Sequence, residues 1–407
     1  MSATRSRATL VVAGLGLGAL VLAACDTGSS TGAARTAGSG KAPGVSLSPT
    51  AKPKPPQAKI HTNVPATGVP VDKIVQVSGT HAKLSTVKVS SSAGELPGRL
   101  STANNTWTAS SLLEPGTAYT VSSTVRSDAG RTLQRTTTFR TQNLTLAQQT
   151  FPSVAPLGGE TVGVGMPVIV TFDVPVTDKA SIEKHMRVTS SAGQRGSWHW
   201  LSDQEAHWRP EHYWKAGSTV DVNVDINSVP AGNGIYGQLD RHVEFKVGDA
   251  HIYRVNTVTD QMKVYSNGQL LRTLPITTGE QPKYTTRSGV KVIIEKFRKK
   301  RMNSETVGID PNGPDGYDIH GVEYAMRVTY SGEFVHAAPW SVASQGHANV
   351  SHGCTGMSTE NAKWLYDMSI RGDVVEYTGT GRPMTLTNGY GDWNEPFSTW
   401  RAGSALS

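Results

Sequence analysis

The chain of 407 residues contains 37% hydrophobic and 17% charged residues, with 42 glycines and 22 prolines, which indicates about three domains and favours exported β-rich modules over a helical enzyme. The formal net charge is +7, but nucleic-acid binding is not expected, because export signals come first and no basic helical face or aromatic RNA-binding pattern is present. A basic, exported protein is expected to meet anionic polymers or lipid head groups instead.

The first 25 residues have the pattern of an export signal. Arg5 and Arg7 precede an apolar run at residues 10–20, which is too short and too rich in glycine for a membrane-spanning helix. The following Leu-Ala-Ala-Cys ends at Cys25 and looks like a lipobox, in which Cys25 receives diacylglycerol and becomes the mature N-terminus. The alternative is an ordinary signal peptide without lipidation. We expect an exported protein that is lipid-anchored to the cell membrane and faces the cell wall or periplasmic space.

Residues 26–59 are of low complexity, with Gly, Ser, Ala and Thr followed by Lys-Pro repeats. Such a segment has almost nothing to bury, so we predict a disordered tether that spaces the folded modules from the membrane.

Two segments of short apolar runs follow, at residues 60–144 and 145–249. Trp107 and Trp208 each precede a glycine by nine residues, and an alternating strand follows in both segments. Strand signals at this spacing predict two tandem Ig-like β-sandwich modules.

The second segment is also rich in tryptophan and histidine. Tryptophan faces could stack on a saccharide, and His207 and His212 could share a metal ion. We interpret the tryptophans as packing residues. The two histidines are weak evidence for a metal site, because no cysteine or carboxylate pattern accompanies them. No metal ion and no cofactor are predicted.

Residues 250–378 predict a β-rich domain. Gln261 to Tyr265 and Leu270 to Thr277 form a predicted hairpin around Asn267-Gly268. Between Arg301 and Val322 the chain has no periodicity, which predicts a long lid. Residues 379–407 form a tail whose aromatic residues are expected to fold back on the modules.

Cys354 is the candidate nucleophile of this domain. A thiol without a nearby partner in an exported protein indicates chemistry rather than cross-linking, and a thiol near pH 7 needs a base. His336, on a short predicted strand from Glu333, can be that base. The alternatives are an inert packing thiol and a structural histidine, but a packing cysteine would sit in an apolar run, whereas Cys354 follows Gly353 in a polar turn.

One substantial helix is predicted after Cys354. Ser358 or Thr359 can cap it, and its apolar residues recur at helical spacing up to Ile370. This places Cys354 just ahead of a helix N-terminus, whose N–H groups would favour a thiolate and could hold an oxyanion.

The motif His336-x14-Ser351-His352-Gly353-Cys354 resembles the signature of the L,D-transpeptidase (YkuD-type) catalytic domain. The run from Phe334 to Trp340 resembles its actinobacterial, multidomain branch. The resemblance covers the chain from His251 onward and, more loosely, the two modules before it. It implies a mainly β fold, with Ig-like modules followed by the β-rich catalytic domain.

The resemblance implies an enzyme that cross-links peptidoglycan stem peptides. In that family the cysteine attacks the carbonyl of the third stem residue, usually diaminopimelate, and expels D-Ala from a tetrapeptide donor. The acyl group then passes to the side-chain amine of a diaminopimelate-type acceptor, which gives a 3-3 cross-link. Carbapenems would acylate the same cysteine.

Site residues are carried over from the family motif onto this sequence. Cys354 is the implied nucleophile and His336 the base, oriented by the carbonyl of Ala337, while the N–H groups of His352, Gly353 and Cys354 shape an oxyanion pocket. The implied substrate-binding residues lie on the lid, in the turn before His336 and near the cysteine, and are Met302, Tyr317, Ser331, Gly332, Trp340 and Gly356.

The sequence departs from the family pattern after the cysteine. Thr355 and Gly356 stand where a bulky aliphatic residue and then Asn or Arg are usual. His320 precedes a glycine as in single-domain relatives, but its position does not fit the spacing, so we interpret it as structural. The five cations at residues 296–301 have two interpretations. They form a solvated face or, because they lie beside the donor pocket, they attract the carboxylates of the stem peptide.

Three other functions remain open on the sequence. Hydrolysis uses the same acyl-enzyme as transfer, so an L,D-carboxypeptidase or another cell-wall cysteine hydrolase is an alternative. A sortase is disfavoured, because its Arg beyond the cysteine and its Thr-Leu-x-Thr-Cys approach are missing. A lipid-anchored, non-enzymatic wall-binding protein is the third.

Overall fold

A computed structural model describes residues 56–407, apart from the side chain of Val307. The predicted signal peptide, Cys25 and nearly all of the predicted tether lie outside these residues. Within 56–407 no helix has the length and apolar character needed to cross a membrane.

The first eight strands form two four-stranded sheets. They are β1 Lys59–Thr62, β2 Gln76–Thr80, β3 Ala82–Ser91, β4 Gly94–Leu96, β5 Gly98–Leu100, β6 Thr106–Ala109, β7 Ala118–Ser127 and β8 Thr132–Arg140. The strand orders are β1-β2-β6-β5 and β4-β3-β7-β8. Buried side chains alternate along β7, where Tyr119, Val121 and Val125 enter one shared hydrophobic core.

Eleven strands and one short helix follow. They are β9 Gln149–Thr150, β10 Pro152–Ala155, β11 Thr161–Val162, β12 Val168–Phe172, α1 Lys179–Glu183, β13 Met186–Ser190, β14 Gly196–Trp200, β15 Glu205–Pro210, β16 Thr219–Val224, β17 Pro230–Gly232, β18 Ile235–Gly237 and β19 Arg241–Val247. Two four-stranded sheets, β10-β12-β15-β14 and β11-β19-β16-β13, enclose a core that contains Trp198, Trp208 and Trp214. These tryptophans are buried, which agrees with their interpretation as packing residues.

The remaining strands build the domain that contains Cys354. They are β20 His251–Asn256, β21 Gln261–Ser266, β22 Gln269–Pro275, β23 Gly289–Val292, β24 Glu295–Asn303, β25 Asp318–Arg327, β26 Phe334–Ala337, β27 Thr355–Met357 and β28 Val374–Thr378. Helix α2 Thr359–Met368 belongs to the same domain, and helix α3 Phe397–Arg401 lies in the C-terminal tail. One sheet has the order β22-β21-β20-β28-β23 and the other β24-β25-β26-β27.

The mainly β architecture is confirmed, with Ig-like sandwiches before a β-rich domain that has one substantial helix after the cysteine. The predicted hairpin is present as β21 and β22. Helix α2 is capped by Ser358, whose side chain accepts a hydrogen bond from the backbone N–H of Asn361.

The predicted lid is shorter than expected. Strands β24 and β25 continue the pairing as far as Asn303 and Asp318, across a bulge between Lys300 and Met302. Strand pairing satisfies backbone groups that the sequence pattern assigned to a loop, and only residues 304–317 remain as the connection.

The second sandwich and the cysteine-containing domain share a close backbone contact. The N–H of Gly163 donates to the carbonyl of Arg371, and the N–H of Gly165 donates to that of Gly372, both at 2.8 Å. A Cβ on Gly163 would lie 2.2 Å from the backbone nitrogen of Asp373, so only glycine fits there.

The C-terminal tail packs on the second sandwich. The Trp400 ring is buried, stacks on His199 at 4.5 Å and donates from its Nε1 to the carbonyl of Ser197 at 2.9 Å. The buried guanidinium of Arg209 lies 4.9 Å from the ring centre of Trp393 and 4.8 Å from that of Trp400. These contacts bury the aromatic side chains that would be unfavourable in water.

Candidate active site

Strand pairing brings Cys354 and His336 to one face of a sheet. Strands β26 and β27 are parallel neighbours, and His336 pairs with Gly356, two residues after Cys354. Because side chains alternate along a strand, Cys354 and His336 point to the same side. Strand spacing and rise place their Cα atoms about 8 Å apart. This distance suits a nucleophile and its base.

His336 has a defined tautomer. Its Nδ1 lies 2.8 Å from the carbonyl oxygen of Ala337, which can only accept, so Nδ1 carries the proton and Nε2 is left with a lone pair. Burial lowers the pKa of His336, although the Ala337 carbonyl opposes that effect. His336 is therefore a neutral imidazole, the form that a general base requires.

Cys354 is a half-buried residue with a free thiol. Its Sγ donates to the carbonyl of Gly332 at 3.6 Å. Burial raises the pKa of Cys354 to about 11. The thiol is therefore protonated at neutral pH and must lose its proton during attack.

The predicted position of Cys354 at a helix N-terminus is wrong. Strand β27 separates the cysteine from α2, whose cap is Ser358. Four extended residues span about 13 Å, and the field of a helix end fades within its first turn. Stabilisation of the thiolate has to come from other groups.

Local hydrogen bonds hold the cysteine loop. The Ser351 hydroxyl donates to the carbonyl of Cys354 at 2.6 Å and accepts from the N–H of Gly353 at 3.1 Å. The buried Thr286 hydroxyl donates to the carbonyl of Gly353 at 2.9 Å. Since the N–H of Gly353 already has an acceptor, the N–H groups of His352 and Cys354 are the better candidates for an oxyanion pocket.

A first cavity of about 270 Å³ opens beside Cys354. It is lined by Cys354, by His336 and by five of the other predicted site residues, together with residues that the sequence did not indicate. Its lining is Thr277, Met302, Tyr317, Ile319, His336, Ala338, Trp340, Ser341, Val350, Ser351, His352, Cys354 and Gly356. The Trp340 ring is 57% exposed and stacks on His336 at 5.9 Å between ring centres.

A second cavity of about 320 Å³ also reaches Cys354. Its lining is more cationic and consists of Lys300, Arg301, Met302, Asn303, Thr306, Tyr317, Arg327, Tyr330, Gly332, Phe334 and Cys354. Met302, Tyr317 and Cys354 belong to both linings. Met302 on β24 and Tyr317 at the end of the connection therefore separate the cavities, and the thiol lies where they meet.

His352 supports the lid through its side chain. Its exposed ring lies 4.3 Å from the ring centre of Tyr284 and 4.8 Å from that of Tyr317. Lys283 pairs with Asp315 at 2.6 Å across the same part of the lid. No local pattern in the sequence pointed to Tyr284, because the contact joins distant segments.

The predictions for Ser331, as a substrate-binding residue, and for His320, as a structural residue, have different outcomes. Ser331 lines neither cavity, and its backbone N–H donates to the side-chain oxygen of Asn388 at 2.8 Å. His320 lies on β25 with a 73% exposed side chain, 3.6 Å from Asp318, and lines neither cavity. The structural interpretation of His320 agrees with this position.

The residues after the cysteine fit their surroundings. A Cβ on Gly356 would lie 2.8 Å from the Cβ of Ala338 and 3.2 Å from Thr277 Cγ2. Gly356 and Thr277 also exchange two backbone hydrogen bonds of 2.9 Å. The Thr355 hydroxyl lies 2.7 Å from the hydroxyl of Tyr377, so it faces a buried polar partner instead of the cavities.

Sequence reasoning missed a buried charged cluster beside this loop. Lys291 has no exposed surface and pairs with Glu333, which also pairs with Arg287. A lysine inside the apolar run at residues 290–294 was the available signal, since a buried charge is normally paired.

Comparisons with known proteins fit these observations. Residues 66–230 match the bacterial Ig domain family, and residues 250–376 match the L,D-transpeptidase catalytic domain, YkuD. L,D-transpeptidase 2 of Mycobacterium tuberculosis is 37% identical over 342 residues, which cover 84% of this chain and 83% of that protein. L,D-transpeptidase 1 of the same species is 39% identical over 227 residues, 56% of this chain and 84% of that protein.

A solved structure gives the same result. The structure of LD transpeptidase LdtMt1 in complex with imipenem has a TM-score of 0.50 and 37% sequence identity, and the match covers 57% of this chain and 99% of that one. These relatives favour an enzyme over the non-enzymatic alternative. By its sequence over most of its length and by its catalytic domain, the chain belongs to the L,D-transpeptidase family and is a transpeptidase enzyme.

Proposed function

We propose that this enzyme forms 3-3 cross-links between peptidoglycan stem peptides and releases D-Ala from a tetrapeptide donor. One observation carries the proposal: the thiol of Cys354 lies at the junction of two cavities, on the same sheet face as a neutral His336. A transferase needs room for a donor and an acceptor at one nucleophile, and this arrangement provides it.

The first half of the reaction forms a thioester. Sγ of Cys354 attacks the carbonyl carbon of the third donor residue while its proton passes to Nε2 of His336. The N–H groups of His352 and Cys354 stabilise the oxyanion. When the C–N bond breaks, His336 returns the proton to the nitrogen of the departing D-Ala.

The second half transfers the acyl group. The side-chain amine of a diaminopimelate-type acceptor attacks the thioester carbon and gives its proton to His336. As the C–S bond breaks, His336 passes that proton to Sγ, which regenerates the Cys354 thiol and the neutral imidazole. The cationic lining of the second cavity, with Lys300, Arg301 and Arg327, favours a ligand with free carboxylates.

Carbapenems are proposed to acylate the same thiol. The relative LdtMt1 was solved in complex with imipenem, and the opening of a lactam by Cys354 would follow the first half-reaction.

We further propose that Cys25 anchors the enzyme to the membrane through lipid, facing the wall. Incorporation of a labelled fatty acid into the full chain in cells, lost in Cys25→Ala, tests the anchor.

The product assay tests the proposed reaction. The full chain is incubated with a disaccharide-tetrapeptide, and mass spectrometry identifies the products. A cross-linked dimer that has lost one D-Ala is expected from the wild type and from Cys25→Ala, but not from Cys354→Ala. The two cysteine variants differ only in which thiol is removed.

The hydrolytic alternative gives a different product. Release of D-Ala without any dimer would assign an L,D-carboxypeptidase, because water would then be the acyl acceptor. Dimer formation by Cys354→Ala would contradict the proposed nucleophile.

A further inference from the structure

A buried ionic cluster packs against the cysteine loop. Nζ of Lys291 lies 2.5 Å from Oε2 of Glu333 and 3.7 Å from the ring centre of Tyr377. The other oxygen of Glu333 accepts from the backbone N–H and from Nη1 of Arg287, both at 3.1 Å. Burial lowers the pKa of Lys291, while its pairing with Glu333 raises it. With both bases protonated, two cations share one carboxylate and the cluster carries a net positive charge.

The cluster reaches the residues on both sides of Cys354. Cγ of Glu333 lies 3.7 Å from the position of a Cβ built on Gly353. The ring that covers Lys291 belongs to Tyr377, whose hydroxyl meets that of Thr355 at 2.7 Å. Gly332, which accepts the hydrogen bond of the thiol, directly precedes Glu333. Glu333 therefore lies beside Gly353, and Tyr377 links Lys291 to Thr355, so the cluster flanks the loop on both sides of the nucleophile.

These charges have no contact with either cavity. Lys291, Glu333 and Arg287 are absent from both linings, so they are not placed to bind a stem peptide. Burial of charges is costly even when they are paired, and a well-packed apolar group often serves stability as well. Their place beside the cysteine loop instead suggests a role in the charge of the site.

We propose that Lys291, held in place by Glu333 and by the ring of Tyr377, is a positioning residue that stabilises the thiolate of Cys354 during acyl transfer. A positive charge near the sulfur compensates the negative charge that develops when the proton leaves. The inference rests on the proposed role of Cys354 as the nucleophile. Lys291 takes the role that the sequence had assigned to the helix N-terminus, which lies too far from the thiol.

Other charged and titratable groups face the thiol as well. Burial is the largest effect on the pKa of Cys354 and raises it, while the N–H of Phe334 lowers it. Glu333 raises this pKa, and Lys291 and Arg327 lower it. The remaining titratable neighbours are His336 on β26, His352 on the cysteine loop, Tyr317 on the lid and Tyr377 on β28.

The reactivity of the thiol itself tests the proposal. In the full chain with Cys25→Ala, Cys354 is the only thiol, and its alkylation by iodoacetamide is followed between about pH 6 and pH 10. Lys291→Met is expected to slow alkylation about tenfold at a given pH, the effect of one pKa unit, and to displace the profile to higher pH. Glu333→Gln is expected to displace it to lower pH.

Both variants disrupt the same cluster, so loosened packing would displace both alkylation profiles in the same direction. Displacements in opposite directions therefore indicate an electrostatic effect. Lys296→Met is the matched control: Nζ of Lys296 also lies over a ring, 4.2 Å from that of Tyr366, outside both cavities. Its alkylation profile is expected to match that of the parent chain.

Several outcomes would overturn the proposal. Lys291→Met could behave like Lys296→Met, or Lys291→Met and Glu333→Gln could displace the profile in the same direction. If circular dichroism shows that Lys291→Met does not fold, the double variant Lys291→Met/Glu333→Leu replaces it. Its alkylation profile must then be displaced from that of wild type to higher pH, the direction opposite to Glu333→Gln. Alkylation needs no peptide substrate, so a failed transpeptidation assay does not affect this test.

Discussion

His336 and His207 are both buried histidines on short strands, yet their surroundings make the first neutral and the second positively charged. Within residues 56–407, Nδ1 of His336 has the carbonyl of Ala337 as its one partner, and burial lowers the pKa of His336. His207 lies between Asp392 at 2.7 Å and Glu205 at 2.8 Å. Burial lowers the pKa of His207 too, but the two carboxylates outweigh it and raise the pKa to about 9.

The difference shows that partners, and not burial, decide the role of a histidine here. A neutral imidazole with a free nitrogen can accept a proton from a thiol. A charged imidazole held by two carboxylates cannot, and it instead joins the second sandwich to the tail through Asp392. Substitutions at the two sites are therefore expected to affect different properties of the enzyme.

The largest effect is expected from the catalytic histidine. His336→Gln keeps a donor for the carbonyl of Ala337 but removes the base, so kcat/KM for cross-linking should fall about 10²- to 10⁴-fold. Denaturant unfolding should remain close to wild type. A full rate in this variant would remove His336 from the mechanism.

The matching substitution in the second sandwich should act on stability. His207→Gln leaves the fully buried Asp392 without its cation, and loss of one partner of a buried pair costs about 3–5 kcal/mol. We expect a lower unfolding midpoint in urea, with kcat/KM unchanged for the folded enzyme. An unfolding midpoint equal to that of wild type would contradict the charged His207.

The pH dependence of stability should reveal the same charge. Because the folded-state pKa of His207 is raised from 6.5 to about 9, its contribution is complete below pH 6.5 and is lost as pH rises through 9. A shift of this size corresponds to about 3 kcal/mol. The measurement is the wild-type unfolding free energy minus that of His207→Gln at several pH values. A difference that stays constant up to pH 10 would be inconsistent with this pKa.

The smallest effect is expected at the exposed His320. Its side chain is 73% exposed and lines neither cavity, so His320→Ala should change the unfolding free energy by less than about 0.5 kcal/mol. Cross-linking rates should match wild type. A large loss of activity would return His320 to the list of candidate bases.

Local patterns in the sequence predicted much of the catalytic domain. Alternation and an Asn-Gly turn gave the hairpin of β21 and β22, and a serine cap with helical spacing gave α2. The two-residue period of strands is also why Cys354 and His336 share a face. Each of these features depends on neighbours within a few residues.

Long-range contacts could not be predicted in this way. Asp392 reaches His207 from 185 residues away, so no pattern around His207 could indicate it. Strand β27, only three residues long, was hidden in the turn after Cys354 and separated the cysteine from the helix. The pairing of Lys291 with Glu333 depends on how two sheets pack, which no local period encodes.

The most direct test of the neutral His336 is the pH dependence of acylation. Imipenem acylation of the full chain is followed by intact-protein mass spectrometry. If neutral His336 takes the proton from Cys354, the rate should stay nearly constant between about pH 7 and pH 9, because the imidazole is already in its basic form. A rate that instead rises about tenfold per pH unit, equally in wild type and His336→Gln, would mean that hydroxide and not His336 deprotonates the thiol.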